Sequence, residues 1–188
     1  MLVKEFIKED PASAREGKSV ADTRELMEEN NFRIIFVVDE DDKLVGFLTY
    51  DSIKDQPGEK SIDSYLSRST LHAEETDTID KAVSIIKEYG LMVLPVVDSE
   101  RRLVGVLTPG RLFEDFADLL NFGQGGFWIT LPCKDPEAIG KVISVLNEQG
   151  VELLSLLSGG ESSDKKVIVK VGEVEDGKAL KESLAEVV

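Results

Sequence analysis

Residues 44–49 read Leu-Val-Gly-Phe-Leu-Thr, and residues 103–108 read Leu-Val-Gly-Val-Leu-Thr. The sequence Val37-Val38-Asp39 recurs at the same spacing, 59 residues later, as Val96-Val97-Asp98. This register holds without a gap between residues 4–55 and 63–114. A spacing shared over such a length indicates an internal duplication, in which each copy is one supersecondary unit that packs against the other.

Each copy has the pattern helix, strand, turn, strand, helix. Ser19 with Asp22 is typical of a capping box that starts a helix. The β-branched runs at 34–38 and 93–97 predict buried strands, and the polar residues that follow each run predict hairpin turns. Because a single copy of this size buries little surface, we expect the two copies to pack sheet against sheet.

The composition narrows the possible functions. The chain of 188 residues has 37 acidic and 22 basic residues and a net charge of −15, which disfavours nucleic acid and membrane partners. It has no apolar run of membrane-spanning length and no basic stretch before an apolar one at its start, so a cytoplasmic location is expected. One His, one Cys and no nucleophile-elbow, P-loop or zinc-protease motif predict neither an enzyme nor a metal site.

The remaining residues predict a different module. A Gly-rich linker at 121–126 precedes an alternating strand at 127–131. Asp135-Pro136 then opens a helix whose predicted apolar face consists of Ile139, Val142, Ile143 and Leu146. Strands at 151–157 and 167–171 and a helix at 178–186 complete the order βαββα.

The duplicated pattern, with Pro95-Val96-Val97-Asp98 ahead of its turn, resembles the cystathionine-β-synthase (CBS) domain in its usual tandem arrangement. The βαββα segment resembles the ACT domain, and the combination is similar to the AcuB-like regulators of acetoin utilisation. The resemblance implies an α/β (α+β) fold. Its parts are CBS repeats at 1–57 and 58–120 that form one module, the linker at 121–126, and a ferredoxin-like ACT domain at 127–188.

The function that the resemblance implies is regulatory. CBS pairs commonly bind AMP, ATP or S-adenosylmethionine in clefts, so we expect a non-catalytic homodimer that senses such an effector and requires no cofactor. ACT domains usually bind amino acids, but Glu137 and Glu152 stand where the family commonly has Gly and Asn. Their carboxylates would oppose an amino-acid carboxylate, so this module is expected to contribute dimerisation. The alternative is a dimeric scaffold that has lost both kinds of ligand.

The expected ligand site departs from the CBS pattern. In nucleotide-binding members, an Asp that holds the ribose follows the strand-end Thr by three residues. Thr49 and Thr108 match that Thr, but Ser52 and Arg111 occupy the Asp positions. Asp51 lies one residue early, a rotation of about 100° on a helix, and is expected to cap the helix instead.

Two further candidates have alternative interpretations. Arg111 could pair with a phosphate in bidentate fashion or could be an exposed arginine at a helix start. His72, the single histidine, falls where the entry strand of the second copy would line a cleft, or it is a structural residue. The full set of candidate ligand-binding residues is Thr49, Asp51, Ser52, His72, Leu94, Pro95, Thr108 and Arg111.

Overall fold

The computed structural model describes residues 1–9, 11–68, 71–133, 135, 137–160 and 164–188. Its contacts divide the chain into two compact units, Met1–Asp115 and Phe116–Val188. Both units contain helices together with antiparallel strand pairs, which confirms the α+β fold class. Within the described residues, every helix is too short or too polar to cross a bilayer.

The first unit contains one arrangement twice. Its strands are β1 (Lys8–Glu9), β2 (Ser13–Arg15), β3 (Ile34–Val38), β4 (Leu44–Thr49), β5 (Ala73–Glu74), β6 (Leu94–Val97) and β7 (Leu103–Leu107). Its helices are α1 (Val20–Glu29), α2 (Tyr50–Ile53), α3 (Ile79–Tyr89) and α4 (Pro109–Leu119), the last of which continues into the second unit. Two 3₁₀ turns, Val3–Glu5 and Ile62–Tyr65, lie at matching places in the two copies.

The same local interactions form both hairpins. The carboxylate of Asp39 accepts hydrogen bonds from the amides of Asp41 and Lys43, each at 2.9 Å. Asp98 accepts equivalent bonds from the amides of Glu100 and Arg102, also at 2.9 Å. An aspartate that bonds to the amides following it stabilises a tight turn, which explains why Val-Val-Asp precedes both turns. The predicted hairpins are confirmed.

Helix α1 begins as its sequence predicts. The hydroxyl of Ser19 accepts a hydrogen bond from the amide of Asp22 at 3.1 Å, which satisfies one of the unpaired amides of the first turn. Helix α3 ends at Gly90, whose φ of 61° lies in the left-handed region that glycine adopts without a steric penalty.

The two copies exchange their entry segments, which are the stretches around Lys8 in the first copy and around Ser67 in the second. Strands β2, β3 and β4 form one sheet, and the second sheet has the order β1-β7-β6-β5. Strand β1 therefore belongs to the first copy in sequence but pairs with the second, Lys8 opposite Val106. Residue Ser67 forms the matching bridge to Phe47 of the first copy. This exchange joins the two copies by backbone hydrogen bonds as well as by side-chain packing.

Gly46 and Gly105 permit this close approach. A Cβ atom on Gly46 would collide with the carbonyl oxygen of Ser67, and one on Gly105 would lie 2.7 Å from Cδ1 of Ile7. Both glycines of the repeated Leu-Val-Gly motif are therefore explained by the entry segment that crosses them.

The cores of the copies are linked by a third apolar cluster. The core of the first copy includes Ile62, which follows that copy in sequence. Phe36, Leu44 and Val97 form a buried cluster between the copies, which confirms that the sheets pack against each other.

The second unit has the order βαββα, as predicted. Its elements are β8 (Phe127–Pro132), α5 (Ala138–Glu148), β9 (Leu153–Gly159), β10 (Lys166–Val171) and α6 (Gly177–Ala185). The strands form an antiparallel sheet with β10 in the centre.

On α5 the buried row is Ala138, Val142 and Leu146, whereas Ile143 is 37% exposed. Ile143 was wrongly predicted to be buried because rows spaced by three and by four residues are equally compatible with its apolar neighbours. Pro136, the predicted start of this helix, lies outside the described residues.

The Gly-rich segment 121–126 is bonded to this sheet. The ammonium of Lys170, whose side chain is buried, donates to the carbonyls of Asn121 and Gln124 and lies 5.7 Å from the centre of the Trp128 ring. The Asn121 amide group donates to the carbonyl of Leu154 at 2.9 Å. A buried cation needs such acceptors, so the lysine holds the segment against the second unit. Composition alone suggested only a flexible connection.

Candidate functional site

Two clefts open between the copies of the first unit. The first cleft, of about 250 Å³, is lined on one side by residues of β3 and β4 and on the other by Leu71, Tyr89, Leu91, Val93 and Pro95. The second cleft, of about 310 Å³, is lined by residues of both copies, namely Lys8, Pro11, Ala12, Asn31, Phe32, Arg33, Ile34, Phe36, Met92, Val93, Val106 and Thr108. The clefts are related by the repeat, since Leu91 of the first cleft and Phe32 of the second are 59 residues apart.

The second cleft contains the groups that suit an anionic ligand. Lys8 and Arg33 line it and are exposed, and the ion pairs of the described residues include neither of them, although Arg33 is close enough to Asp51 for its charge to lower the pKa of that carboxyl group. Arg33 lies 6.0 Å from the centre of the Tyr50 ring, a cation–π arrangement that restrains its side chain. The Thr108 hydroxyl accepts a hydrogen bond from the backbone amide of Arg111 at 3.1 Å. Its own O–H group can donate a further hydrogen bond to a ligand. These groups could hold a phosphate in an otherwise very acidic protein.

The second cleft also has apolar walls. Phe32, Ile34, Phe36 and Val93 contribute to them, and Met92 at the mouth is 76% exposed. An aromatic ring and a thioether side chain can pack against the flat face of a heterocyclic base. The second cleft therefore combines an apolar wall with two cations and a hydroxyl.

The first cleft is different in chemistry. Its described lining consists of aliphatic and aromatic side chains, one proline and Gly46, with no charged residue. Thr49, which corresponds to Thr108, is not part of that lining. The first cleft can thus hold an apolar group but offers no described side chain that could neutralise a phosphate.

Thr49, Asp51 and Ser52 bond to one another or to Lys54 rather than lining a cleft. The Thr49 hydroxyl accepts the amide of Ser52 at 3.3 Å, and the Ser52 hydroxyl donates to the Thr49 carbonyl at 2.7 Å. Asp51 forms an ion pair with Lys54 at 2.8 Å, and the hydrogen bond and charge of that lysine lower the pKa of the carboxyl group. The prediction that Asp51 caps α2 is therefore wrong, because the Thr49 hydroxyl already occupies that role.

Arg111 is paired within its own helix. Its guanidinium lies 3.0 Å from each carboxylate oxygen of Asp115, one turn along α4. It is absent from the described lining of the second cleft, although the Thr108 that precedes it is present. This geometry agrees with an arginine at a helix start and provides no phosphate contact.

The last three candidates, Leu94, Pro95 and His72, lie in three different environments. Leu94 is fully buried in the second copy, and Pro95 lines the first cleft. His72 lines neither described cleft and is close enough to Asp77 for its charge to act on that carboxyl group. Burial alone would raise the pKa of Asp77, but hydrogen bonds from Lys81 and the Glu74 amide, with the charges of Lys81 and His72, leave it lowered.

Lys8, Phe32, Arg33 and Met92 are cleft residues that the motif comparison missed. Their signal in the sequence is a difference between the copies, since Arg33 corresponds to Met92 and Lys8 corresponds to Ser67. Positions where two otherwise matched repeats differ in charge are good candidates for ligand contacts. Among the described residues, no group of three or more His, Cys, Asp or Glu is arranged to hold a metal ion.

Comparison with known proteins identifies the family. The CBS domain model matches residues 3–57 and 62–118, and the chain belongs to this family. A curated relative, L-aspartate semialdehyde sulfurtransferase of Methanocaldococcus jannaschii, is 31% identical over 117 residues, which is 60% of this chain and 23% of the relative. The chain thus spans about a quarter of the length of the curated relatives that it matches.

Solved structures share the fold of the CBS pair. A CBS domain pair/ACT domain protein from Thermotoga maritima has a TM-score of 0.58 and 24% identity and covers 64% of this chain and 99% of its own. An acetoin utilization protein (AcuB) from Vibrio cholerae has a TM-score of 0.57 and 18% identity, covering 64% and 93%. A CBS domain pair in complex with 5′-methylthioadenosine and S-adenosyl-L-methionine has a TM-score of 0.53 and 28% identity, covering 63% and 97%.

Proposed function

We propose that this protein is a non-catalytic regulator that senses an adenine nucleotide in the second cleft and acts as a homodimer. The observation that carries the proposal is the grouping of Lys8, Arg33 and Thr108 beside an apolar wall. Pockets that bind small molecules typically combine an apolar lining with a few convergent polar groups.

Relatives support an adenosine-containing ligand. The CBS pair that is 28% identical to this chain was solved with 5′-methylthioadenosine and S-adenosyl-L-methionine. The two cations of the second cleft favour a ligand with phosphates over S-adenosylmethionine, whose sulfonium group is positively charged. We therefore place AMP and ATP ahead of S-adenosylmethionine as effectors.

The binding mode differs from one that depends on a ribose aspartate. Lys8 and Arg33 would pair with the phosphate, Thr108 would donate to one of its oxygens, and Phe32 and Met92 would contact the base. Ser52 and Arg111 are occupied by other partners. Affinity would then depend mainly on phosphate charge.

We propose that the second unit is an ACT-like module that contributes to the dimer. Its βαββα order and its central third strand are the features that support this assignment. The exposed carboxylates of Glu137 and Glu152 favour dimerisation over capture of an amino acid. The alternative proposal is a dimeric scaffold that binds no ligand.

Isothermal titration of the full chain, purified without nucleotide, tests the sensor proposal. AMP and ATP are expected to bind with one equivalent per chain. In a separate thermal denaturation they should raise Tm, because a ligand that binds only the folded state stabilises it by mass action. Arg33→Gln and Lys8→Gln should each weaken AMP binding about tenfold, because each removes a charge-assisted hydrogen bond.

Lys87→Gln is the matched control, since Lys87 is an exposed lysine of α3 that lines neither cleft. It should leave the AMP affinity unchanged. A chain that shows no heat and no Tm shift with AMP, ATP or S-adenosylmethionine at millimolar concentration would contradict the sensor proposal. If no ligand binds, a dimer measured separately by light scattering would favour the scaffold.

A further inference from the structure

The two clefts share a wall. Ile34, Phe36 and Val93 line both of them. Phe36 is 7% exposed and belongs to the buried cluster between the copies, and Ile34 and Val93 pack against that cluster. Only these side chains of the described lining are common to the two clefts, so each of them presents one side to each cleft.

A shared wall couples the volumes of the two clefts. Protein interiors are closely packed, so a side chain that is pushed from one side must move toward the other. A group that enters the first cleft and displaces Ile34 or Val93 therefore reduces the space in the second cleft. The expected coupling is negative.

The lining of the first cleft defines what can enter it. A charged ligand would lose its hydration there without a described side chain to replace it, at a considerable energetic cost. A volume of about 250 Å³ suits one small molecule with an aromatic ring, for which Phe47, Tyr89 and Leu91 offer contact surfaces.

We infer that the first cleft binds an uncharged aromatic molecule and that its occupation weakens binding of the anionic ligand in the second cleft. This inference rests on the proposed function for its regulatory consequence. The binding site itself and its coupling through Ile34, Phe36 and Val93 do not depend on which anion binds in the second cleft.

Leu91→Trp provides an internal substitute for the ligand. Leu91 lines only the first cleft, so an indole ring at this position fills that cleft and acts on the second cleft through the shared side chains Ile34, Phe36 and Val93. We expect Leu91→Trp to weaken AMP binding roughly fivefold, at the lower end of typical allosteric couplings. Free indole added to the native chain should weaken AMP binding similarly and should have no further effect on Leu91→Trp. Leu153→Trp, in the second unit, is the matched control and should behave as the native chain.

Amide chemical shifts test the inference without AMP. Indole should cause saturable shifts at Gly46 and Phe47, which line only the first cleft, and also at Phe32 and Thr108, which line only the second, and none of these in Leu91→Trp. The absence of saturable shifts at Gly46 and Phe47 would overturn the site. Shifts confined to the first cleft, with AMP affinity within about twofold of native, would overturn the coupling. If the native chain binds none of AMP, ATP and S-adenosylmethionine, the sensor proposal fails while the indole shifts still decide whether the first cleft is a binding site.

Discussion

The first and second clefts are built from corresponding residues of one duplicated sequence, yet their chemistry is opposite. The first cleft is lined by apolar side chains and glycine in its described part, and the second carries Lys8, Arg33 and Thr108. The features that the copies share, including the turn aspartates and the motif glycines, belong to the backbone framework. The comparison teaches that the repeat preserves the scaffold, while a few side-chain differences determine what each cleft can bind.

The largest expected effect tests whether the hydrophobic cores of the two copies contribute equally to the free energy of unfolding. Leu48 and Leu107 occupy matching positions and are both fully buried. Leu48→Ala and Leu107→Ala should each reduce the free energy of unfolding by about 2–5 kcal/mol through lost burial and a residual cavity. Urea denaturation followed by circular dichroism measures this. A large loss for one variant and a negligible one for the other would show that the cores are not equivalent.

A smaller effect distinguishes the entry segments that border the clefts. Gly46→Ala places a methyl group against a backbone carbonyl, that of Ser67, which cannot rotate away. Gly105→Ala places one 2.7 Å from the flexible end of Ile7, although the Lys8 carbonyl is also near, at 3.1 Å. Gly46→Ala should therefore cost about 1–3 kcal/mol of stability and Gly105→Ala less. Thermal denaturation of both variants gives the order, and a reversed order would refute this explanation.

The smallest expected effect would make the clefts more alike. Ser67 corresponds to Lys8, so Ser67→Lys introduces a cation beside the first cleft. A solvent-exposed charge contributes up to about 1 kcal/mol, enough to add a second, weaker equivalent of AMP in a titration. Ser64→Lys, on the exposed 3₁₀ turn, is the control and should leave one equivalent. An unchanged stoichiometry in Ser67→Lys would show that charge alone does not separate the clefts.

Much of the fold could be predicted because its signals are local. Alternating apolar runs, turn aspartates and a glycine after a helix act over a few residues, and the duplication presents each of them twice. The residues of the candidate site were harder to predict from the sequence. Thr108 and Pro95 were identified by motif, but Asp51 and Arg111 had partners, Lys54 and Asp115, whose choice depends on side-chain rotamers. Lys8 and Arg33 were missed because they lie outside the repeated motif.

The sequence by itself determined the repeat, the α+β class, the order of elements and the CBS family, since these depend on spacing and composition. Only the tertiary structure decided that the entry segments are exchanged, with Lys8 placed beside Thr108 of the other copy. It also decided that Ile34, Phe36 and Val93 form a wall between the two clefts. The physical reason is that contacts between residues far apart in the chain depend on how complete elements pack, which no local pattern encodes.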